Sequence, residues 1–306
     1  MRERVADELV GVVDVGGSHL YAALAHEGAD GPVLGPRVRA GVDAGADREP
    51  LLAGLVAPLV ALDAQAFVLA LPGPFDYPAG RGDFAGVGKF GALAGVDLRA
   101  ELAGRLGVDQ GRVLFLNDAQ AYGLGEWWGS SARPGRSVCL TLGTGVGSVF
   151  LVDGTPVASG PGVPPHGWVH LLRLDGLPLE DSVSTRSVRT AYASRSGRTL
   201  DVREIAAAAR AGDGVARDVL ATAMRDLARG TAASLRDFDA EELVVGGSVA
   251  LAWDLLEDPL RTALTTVPGL GSLVVRPSAL RDDAPLLGAA WWFRRVGLLA
   301  SPAPTP

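Results

Sequence analysis

The chain alternates short apolar runs that end on glycine or on polar residues with longer segments of helical periodicity. A short run of branched apolar residues that stops at a turn signal is typical of a buried strand. Leu9–Val15 is the first such run, and it stops at Gly16-Gly17. The same pattern predicts six further strands, at 21–25, 66–71, 113–116, 137–142, 149–152 and 243–245.

The intervening segments carry apolar residues three and four positions apart, as the buried stripe of a helix requires. Leu98, Leu102 and Leu106, for example, share one face of a predicted helix. Strands that alternate with helices indicate an α/β protein. The predicted helices span 48–62, 98–106, 182–193, 202–211, 214–236 and 286–296.

Composition indicates the size and the compartment. The 306 residues suffice for about two domains, and 48% of them are hydrophobic, which is enough for sizeable cores. The single cysteine, Cys139, allows neither an internal disulfide nor a cysteine-based zinc site, and it favours a reducing compartment. The chain has no signal-peptide pattern and no apolar run that would span a membrane, so we expect a cytoplasmic protein. The proline-rich tail at 301–306 is expected to be disordered.

Charge excludes further classes of protein. The net charge of −7 makes nucleic acids and anionic membranes poor partners. Lys89 is the only lysine, and a Walker-type P-loop needs Gly-x-x-x-x-Gly-Lys-Ser/Thr. Phe90 follows this lysine and Asp83 stands where the first glycine should be, so that site is excluded. A polyphosphate ligand must therefore be held by backbone N–H groups, hydroxyls, arginine or a metal ion.

Three predicted strands run directly into glycine-rich turns. Such turns can aim several backbone N–H groups at one anion and let the backbone approach it closely. A turn that needs positive φ is the alternative explanation of each one taken singly, but three turns at strand ends favour a nucleotide site. The candidate phosphate-binding residues are Gly16, Gly17, Ser18, Gly143, Thr144, Gly145, Gly147, Gly246 and Gly247.

The second turn, at 143–147, differs from a dinucleotide-binding turn. That motif is Gly-x-Gly-x-x-Gly at the start of a helix, whereas this chain has Gly-x-Gly-x-Gly followed by the β-type residues 149–151. The spacing therefore predicts a hairpin that lies over phosphates.

Polar side chains stand at the ends of two strands. Asp14 precedes the first glycine pair, where its carboxylate could hold Mg²⁺, directly or through water, or could bond the turn backbone. Asp118 follows a predicted strand, where it could accept the proton of a hydroxyl that attacks a γ-phosphate, or could cap a helix. Asn117 can donate to and accept from a neighbouring hydroxyl. The local sequence leaves these alternatives open.

Two histidines and an acidic pair complete the candidates. His166 and His170 are four positions apart, but Pro164-Pro165 and a glycine argue against a helix, and without a third ligand we do not expect a metal there. Glu180 and Asp181 begin a helical segment, where negative charge is favourable.

Together these motifs resemble the ROK sugar kinases, within the actin/hexokinase-like ATPase superfamily. The matching segments follow the family order along nearly the whole chain. They are DVGGS at 14–18, LPGP at 71–74, LNDA at 116–119, LGTGVGS at 142–148, His170, LE at 179–180, VVGGS at 244–248 and LGAA at 287–290.

The resemblance implies a two-lobed, actin/hexokinase-like (ribonuclease H-like) α/β fold with a central cleft. A small domain would span 1–118 and be completed by a helix at about 286–300, and a large domain would span 119–285. The implied cofactors are ATP and Mg²⁺, and the implied partners are ATP and a small-molecule sugar, with a homodimer as a further possibility.

The resemblance also implies residue roles. Asp118 would be the general base for phosphorylation of a hexose at its 6-hydroxyl, and Asp14 would stand near the metal. Residues 143–147 and 246–247 would hold phosphates and adenosine. The implied sugar contacts are Asn117, Asp118, His170, Glu180, Gly73 and His166.

The chain departs from the family at two places. Gly167 stands where a glutamate usually precedes the histidine by three positions, which removes a sugar contact. The cysteine-rich zinc motif is missing, so no zinc is expected, as in the similar polyphosphate/ATP glucokinases. These departures leave room for an amino-deoxy-hexose, and kinases for kanosamine in antibiotic pathways resemble this family.

Three alternatives stay open. The donor could be polyphosphate, or the protein could be a catalytically silent sugar sensor, although Asp118 and the three glycine turns argue against the latter. A sugar-responsive regulator would need a DNA-binding segment, whereas only about ten residues precede the first strand.

Lys89 lies where family members often place a sugar-contacting loop, and a plain surface lysine is its alternative interpretation.

Overall fold

The computed structural model describes residues 8–86 and 88–300, without the side chains of 297–300. The tail predicted to be disordered, 301–306, lies outside the described residues. The chain divides into two compact units. One unit holds the chain up to Trp128 and again from Asp282, and the other holds Gly129–Arg281.

Strands and helices follow one another through the first unit, as the apolar pattern predicts. The predicted strand 66–71 and the predicted helix 98–106 are observed with the same bounds. In chain order the elements are β1 (Val10–Val15), β2 (His19–Glu27), β3 (Pro32–Leu34), β4 (Val38–Gly41), α1 (Arg48–Val60), β5 (Ala66–Leu71), β6 (Phe75–Asp76), β7 (Arg81–Gly82), α2 (Leu98–Leu106), β8 (Val113–Asn117) and α3 (Asp118–Gly129).

The main sheet of the first unit has the strand order β3-β2-β1-β5-β8, and β4 also pairs with β2. Strand β1 runs antiparallel to β2 and parallel to β5, and β5 runs parallel to β8. All six residues of β5 are buried, as expected of a central parallel strand with an unbroken apolar sequence.

The second unit repeats this arrangement of a hairpin followed by parallel strands. Its sheet has the order β11-β10-β9-β14-β15, with β9 and β10 antiparallel and β14 parallel to both of its neighbours. The elements are β9 (Arg136–Leu142), β10 (Val146–Val152), β11 (Thr155–Val157), β12 (Arg173–Leu174), β13 (Leu177–Pro178), α4 (Glu180–Val183), α5 (Thr185–Ser196), α6 (Val202–Arg210), α7 (Gly214–Asp237), β14 (Glu242–Gly246), α8 (Trp253–Thr265) and β15 (Val274–Pro277).

Side-chain caps fix where the helices of this unit begin. Asp201 and Glu204 form a reciprocal capping box at the start of α6. The Asp213 carboxylate accepts two backbone N–H groups at the start of α7. None of the described helices, including the long α7, is both long and apolar enough to cross a membrane.

The single helix predicted over 182–193 is wrong, because the chain breaks at Ser184 into α4 and α5. Ser184 has extended backbone angles, and its hydroxyl accepts the N–H of Ser187 at 3.3 Å. The next N–H, that of Thr185, donates to the carbonyl oxygen of Gly143 at 2.8 Å. The break therefore caps α5 and joins its start to the glycine loop at 143–147.

The last helix, α9 (Ala284–Ala300), belongs to the first unit and packs closely on α3. A Cβ atom added at Gly288 would overlap the carbonyl oxygen of Ala121. A Cβ atom added at Gly125 would overlap the carbonyl oxygen of Ala284. One glycine on each helix therefore lets the two backbones touch.

The observed division of the chain differs from the predicted one at α3. The boundary was expected after Asp118, whereas the chain enters the second unit only after Trp128. Because α3 packs backbone against backbone on α9, it stays with the first unit. The two units are thus of about equal length rather than one small and one large.

We expect Gly288→Ala to lower the free energy of unfolding by about 1–3 kcal/mol, because the added methyl group must push α9 away from α3. Urea unfolding followed by circular dichroism measures this change. Gly104→Ala is the matched control, since Gly104 lies exposed in α2 with no heavy atom within 4 Å of the added carbon, and it should raise stability by about 0.4–1 kcal/mol. Equal stability of Gly288→Ala and the wild type would contradict the close packing.

Candidate functional site

The candidate chemistry of the first unit lies where parallel strands end. Asp14 is the penultimate residue of β1, and Asn117 is the last residue of β8. Strand β5 pairs in parallel with both strands, so their carboxyl ends meet at one edge of the sheet. Asp118 follows at once as the first residue of α3. The fold therefore brings three predicted site residues to the same edge.

Asn117 is oriented by hydrogen bonds at both ends of its carboxamide. Its Oδ1 accepts the N–H groups of Ala119 at 3.0 Å and Gln120 at 3.2 Å, which caps α3. Its Nδ2 donates to the Tyr77 hydroxyl at 3.0 Å, and that hydroxyl donates to the carbonyl oxygen of Leu71 at 3.1 Å. Tyr77 is a site residue that the sequence did not reveal, because it lies 40 positions from its partner.

Gly73 lies beside this hydrogen-bonded pair. A Cβ atom added at Gly73 would stand 3.7 Å from the Tyr77 hydroxyl oxygen. Burial raises the pKa of Tyr77 above its ordinary value, so the phenol stays protonated and keeps its proton to donate. The predicted sugar contacts Gly73 and Asn117 are therefore linked through Tyr77.

Asp118 is a partly buried carboxylate. Its Oδ1 accepts the N–H of Ala119 at 2.8 Å. Removal from solvent raises the pKa of Asp118, and the hydrogen bond from Ala119 and the positive charge of Lys89 offset this rise only in part. A carboxylate with a raised pKa is a better proton acceptor, which suits a general base. Asn117 fills much of the capping role that was the alternative for Asp118.

Asp14 is a partly buried carboxylate whose ionised form is disfavoured. Burial, followed by the negative charges of Asp118 and Asp282, raises the pKa of Asp14 to about 7. Within the described part of the chain, no hydrogen bond or ion pair reaches its carboxylate, and so the alternative bond to the turn is not formed. Asp282 is another site residue that the sequence did not reveal, since it comes near Asp14 only where the chain returns to the first unit.

The first glycine turn, 16–18, offers two backbone donors rather than three. The N–H of Gly16 donates to the carbonyl oxygen of His19 at 2.9 Å and is used inside the turn. The N–H groups of Gly17 and Ser18 have no partner among the described residues. Neither glycine has a positive φ, so a strained turn does not explain this pair. Gly17 instead makes room for a side chain, because a Cβ atom there would lie 3.1 Å from the stem of Lys89.

The second turn is a hairpin, as predicted. Strands β9 and β10 are antiparallel, with Leu142 opposite Val146. The N–H of Gly143 donates to the carbonyl oxygen of Gly145 at 3.0 Å and closes the loop. In the described structure, the N–H groups of Thr144 and Gly145 are left without a partner. They are the two donors that this loop offers to an anion.

The third turn meets the second at one residue of β9. Gly246, at the end of β14, and Gly147, in β10, both lie opposite Thr141. Gly247 has a φ of 85°, and a Cβ atom there would overlap the backbone of Leu142. Gly247 is therefore required by the backbone itself, since both its positive φ and its close approach to Leu142 need a glycine.

Glu180 lies against the hairpin loop. Its Oε2 accepts the N–H of Val146 at 3.0 Å. A Cβ atom added at Gly145 would stand 2.8 Å from the same oxygen. A predicted sugar contact and a predicted phosphate loop are thus in direct contact within the second unit.

The segment with both histidines forms a row of three rings. The ring centroids of His166 and Trp168 are 4.8 Å apart, and those of Trp168 and His170 are 5.5 Å apart. The buried hydroxyl of Ser148 donates to the carbonyl oxygen of Gly167 at 2.7 Å and holds the segment on β10. Gly167 has a φ of 75°, which favours glycine over the glutamate usual in the resembling kinases. The sequence did not reveal Trp168, which is 37% exposed.

Comparisons with known proteins identify the family of the chain. The model of the ROK family matches residues 11–296. The N-acetylmannosamine kinase of Escherichia coli O139:H28 is 30% identical over 297 residues, which are 91% of this chain and 96% of that protein. The bifunctional enzyme NanE/NanK of Brucella melitensis is 30% identical over 222 residues, which are 71% of this chain. The match covers 38% of that longer enzyme, so this chain spans about two fifths of its length.

The likeness extends to solved structures. The crystal structure of the ROK hexokinase from Thermus thermophilus is 25% identical, with a TM-score of 0.76, and the match covers 94% of this chain and 99% of that one. This likeness confirms the predicted actin/hexokinase-like α/β fold. Because the family model matches nearly the whole of it, the chain belongs to the ROK family.

Proposed function

We propose that the protein is a sugar kinase that transfers the γ-phosphoryl group of ATP to the 6-hydroxyl of a hexose or an amino-deoxy-hexose. The observation that carries this proposal is Asp118, a carboxylate with a raised pKa at the end of a parallel strand, beside Asp14. Membership of the ROK family and the names of the relatives, a kinase for N-acetylmannosamine and a hexokinase, support it.

Asp118 acts as the general base. The sugar oxygen forms a bond to the γ-phosphorus while the bond from that phosphorus to the β–γ bridging oxygen breaks. ADP leaves with the electron pair of the broken bond, and the hydroxyl proton passes to the Asp118 carboxylate. The raised pKa of Asp118 brings its basicity closer to what this transfer needs at neutral pH.

The backbone donors of the glycine turns bind phosphate oxygens. Gly17 and Ser18 offer two N–H groups in the first unit, and Thr144 and Gly145 offer two in the second. These four groups are fixed by the surrounding turns, so they need no reorganisation when charge develops. They take the place of the P-loop lysine that the chain does not have.

Asp14 fits a role beside Mg²⁺. Magnesium is typically held by one or two carboxylates together with substrate phosphates and water. Asp14 supplies one such carboxylate, and no other group in the described structure neutralises it. No cluster of three or more metal-binding side chains occurs among the described residues, so the phosphates and water would complete the set. Magnesium, when bound, neutralises phosphate charge.

Each unit has its own candidate sugar contacts. Asn117 and Gly73, connected through Tyr77, offer a carboxamide and open space in the first unit. In the second unit, His170 and Glu180 offer hydrogen bonds to hydroxyl groups, and His166 lies at the end of the row of rings. The glycine at 167 lacks the carboxylate contact that a glutamate would make to the sugar, which leaves room for an amino-deoxy-hexose.

We expect Asp118→Asn to lower kcat by a factor of about 10²–10⁴, because the amide cannot accept the hydroxyl proton. A coupled assay of ADP release measures kcat, and circular dichroism checks the fold. Asp258→Asn, an exposed position in α8, is the matched control and should leave kcat unchanged. A kcat within tenfold of the wild type would refute Asp118 as the base.

The same assay tests the substrate class. We expect ATP-dependent phosphorylation of at least one sugar in a panel of glucose, mannose, glucosamine, N-acetylglucosamine, N-acetylmannosamine and kanosamine. Polyphosphate replaces ATP in a parallel series. Absence of turnover with every sugar and both donors would overturn the proposed function, and sugar binding without turnover would favour the silent sensor.

The pKa of Asp14 predicts how stability depends on pH. Because this pKa is about 7 in the folded protein against an ordinary value of 3.8, the folded state binds the proton more tightly than the unfolded chain. Ionising Asp14 therefore costs stability, which should fall as the pH rises from about 4 to about 7. Asp14→Asn should therefore raise the thermal midpoint by a larger amount at pH 8 than at pH 5, without divalent cations.

Thermal unfolding of both proteins at the two pH values measures the effect. Asp258→Asn should show no such difference, because its carboxylate is exposed. A gain in Asp14→Asn that is equal at pH 5 and pH 8 would contradict the raised pKa.

A further inference from the structure

The only lysine of the chain lies on the first glycine turn. A Cβ atom added at Gly17 would stand 3.1 Å from both Cδ and Cε of Lys89 and 3.2 Å from its Nζ. The outer half of this exposed side chain therefore lies over the Gly17 backbone. Gly17 and Ser18 are the residues whose N–H groups are left without a partner in the described structure.

Backbone hydrogen bonds hold the lysine in this place. The N–H of Phe90 donates to the carbonyl oxygen of Ala44 at 2.7 Å, and the N–H of Ala44 donates to the carbonyl oxygen of Gly17 at 3.3 Å. The Phe90 side chain is 1% exposed and packs on Phe84, with ring centroids 5.5 Å apart. The residue after Lys89 is thus anchored in the core and connected to the turn through one intermediate residue.

The charge of this lysine is not neutralised by a close carboxylate. Among residues 8–86 and 88–300, no carboxylate lies within ion-pair distance of its Nζ. The positive charge of Lys89 nevertheless acts on Asp118. It opposes the rise in the pKa of that carboxyl group that burial causes. Asp14, Asp118 and Asp282 give this edge of the sheet three carboxylates that repel an incoming phosphate. Arg37 forms an ion pair with Asp282 at 3.7 Å, and the Lys89 ammonium is the positive charge that acts on Asp118.

We propose that Lys89 is a catalytic residue whose ammonium contacts the phosphoryl group while it passes from ATP to the sugar. This role rests on the proposed function, since it places the ammonium between the phosphate turn at Gly17 and the base Asp118. Negative charge on the transferred oxygens is highest during the transfer, and a fixed positive charge there lowers the barrier. Lys89 neither forms nor breaks a bond in this step.

The position favours a phosphoryl contact over a sugar contact. A sugar hydroxyl needs a hydrogen bond but no counter-charge, whereas a phosphoryl group among three carboxylates needs one. An ammonium is also a compact point charge that can rest directly on a glycine, whereas a guanidinium is larger and planar. Arginine at this position would keep the charge but would not fit the space over Gly17 equally well.

The experiment compares Lys89→Met, Lys89→Arg and the wild type in the coupled kinase assay. Lys89→Met should lower kcat by a factor of about 10²–10³ and leave the KM for the sugar within about twofold. Lys89→Arg should keep more of kcat than Lys89→Met does. Arg203→Met is the matched control, because Arg203 is an exposed cation in α6 without an ion pair in the described structure, and its kcat should not change.

A second readout isolates the transferred group. ADP with aluminium fluoride and the sugar mimics the phosphoryl group in transit, and such analogues bind more tightly than substrates. Isothermal titration should show that Lys89→Met loses at least tenfold in affinity for this complex but binds ADP alone and sugar alone as the wild type does. If Lys89 had only a structural role, Lys89→Met would bind the aluminium fluoride complex, ADP alone and the sugar alone more weakly than the wild type.

The outcomes separate this role from the proposed function. A wild type without activity on any sugar overturns both. An active wild type with kcat of Lys89→Met within threefold overturns only the role of Lys89, as does a rise in the KM for the sugar with unchanged kcat. Equal losses in Lys89→Met and Lys89→Arg overturn the role of its charge.

Discussion

The parallel pairing of β1, β5 and β8 brings the candidate site residues of the first unit together. Three strands that run in one direction end at one edge, so the residues at their ends become neighbours although they lie far apart in sequence. Asp14 and Asp118 are brought within electrostatic reach of each other in this way. Three further features of the first unit support that edge. Asn117 fixes the start of α3, Tyr77 holds Asn117, and the turn after Asp14 leaves its N–H groups open.

The carboxylates at this edge lower the stability of the folded protein but suit the function that we propose. Removal from water raises the pKa of both Asp14 and Asp118, and repulsion by Asp118 raises that of Asp14 further, so that ionising these carboxylates destabilises the folded state. The same repulsion prepares the edge for cations and for a proton. The second unit differs, because its hairpin loop offers backbone N–H groups and the carboxylate of Glu180 accepts a hydrogen bond from Val146 at the end of that loop. Its loop therefore remains a place for anions.

Much of the fold could be predicted from the sequence, because apolar runs that stop at glycine mark buried strands without reference to distant residues. The sequence was less informative where the outcome depends on contacts. Helical periodicity continues through Ser184, yet its hydroxyl and the hairpin loop end one helix and begin another. Helix α8 was not predicted, and Pro259 within it is a residue that usually marks a helix end.

Prediction of the site residues was limited in the same way, because contacts between distant residues are not visible in the sequence. Asp14, Asn117 and Asp118 could be named because each stands at a strand end next to a turn. Tyr77 and Asp282 could not, since nothing near them in the sequence indicates which strand end they approach. The reason for the glycine at 17 was also not visible, because it comes from the nearby stem of Lys89 rather than from φ.

The close contact between α3 and α9 has a consequence for biosynthesis. The first unit is made of two pieces of chain, and the second unit is a continuous insertion between them. As the chain leaves the ribosome, the inserted unit can complete its sheet while the first unit still lacks α9 and Asp282. The edge at which Asp14 and Asp118 lie thus acquires its final electrostatic field only near the end of synthesis. A truncated product would keep an intact second unit but would have the faces of α3 and of its sheet exposed, which is the kind of surface that chaperones and proteases recognise.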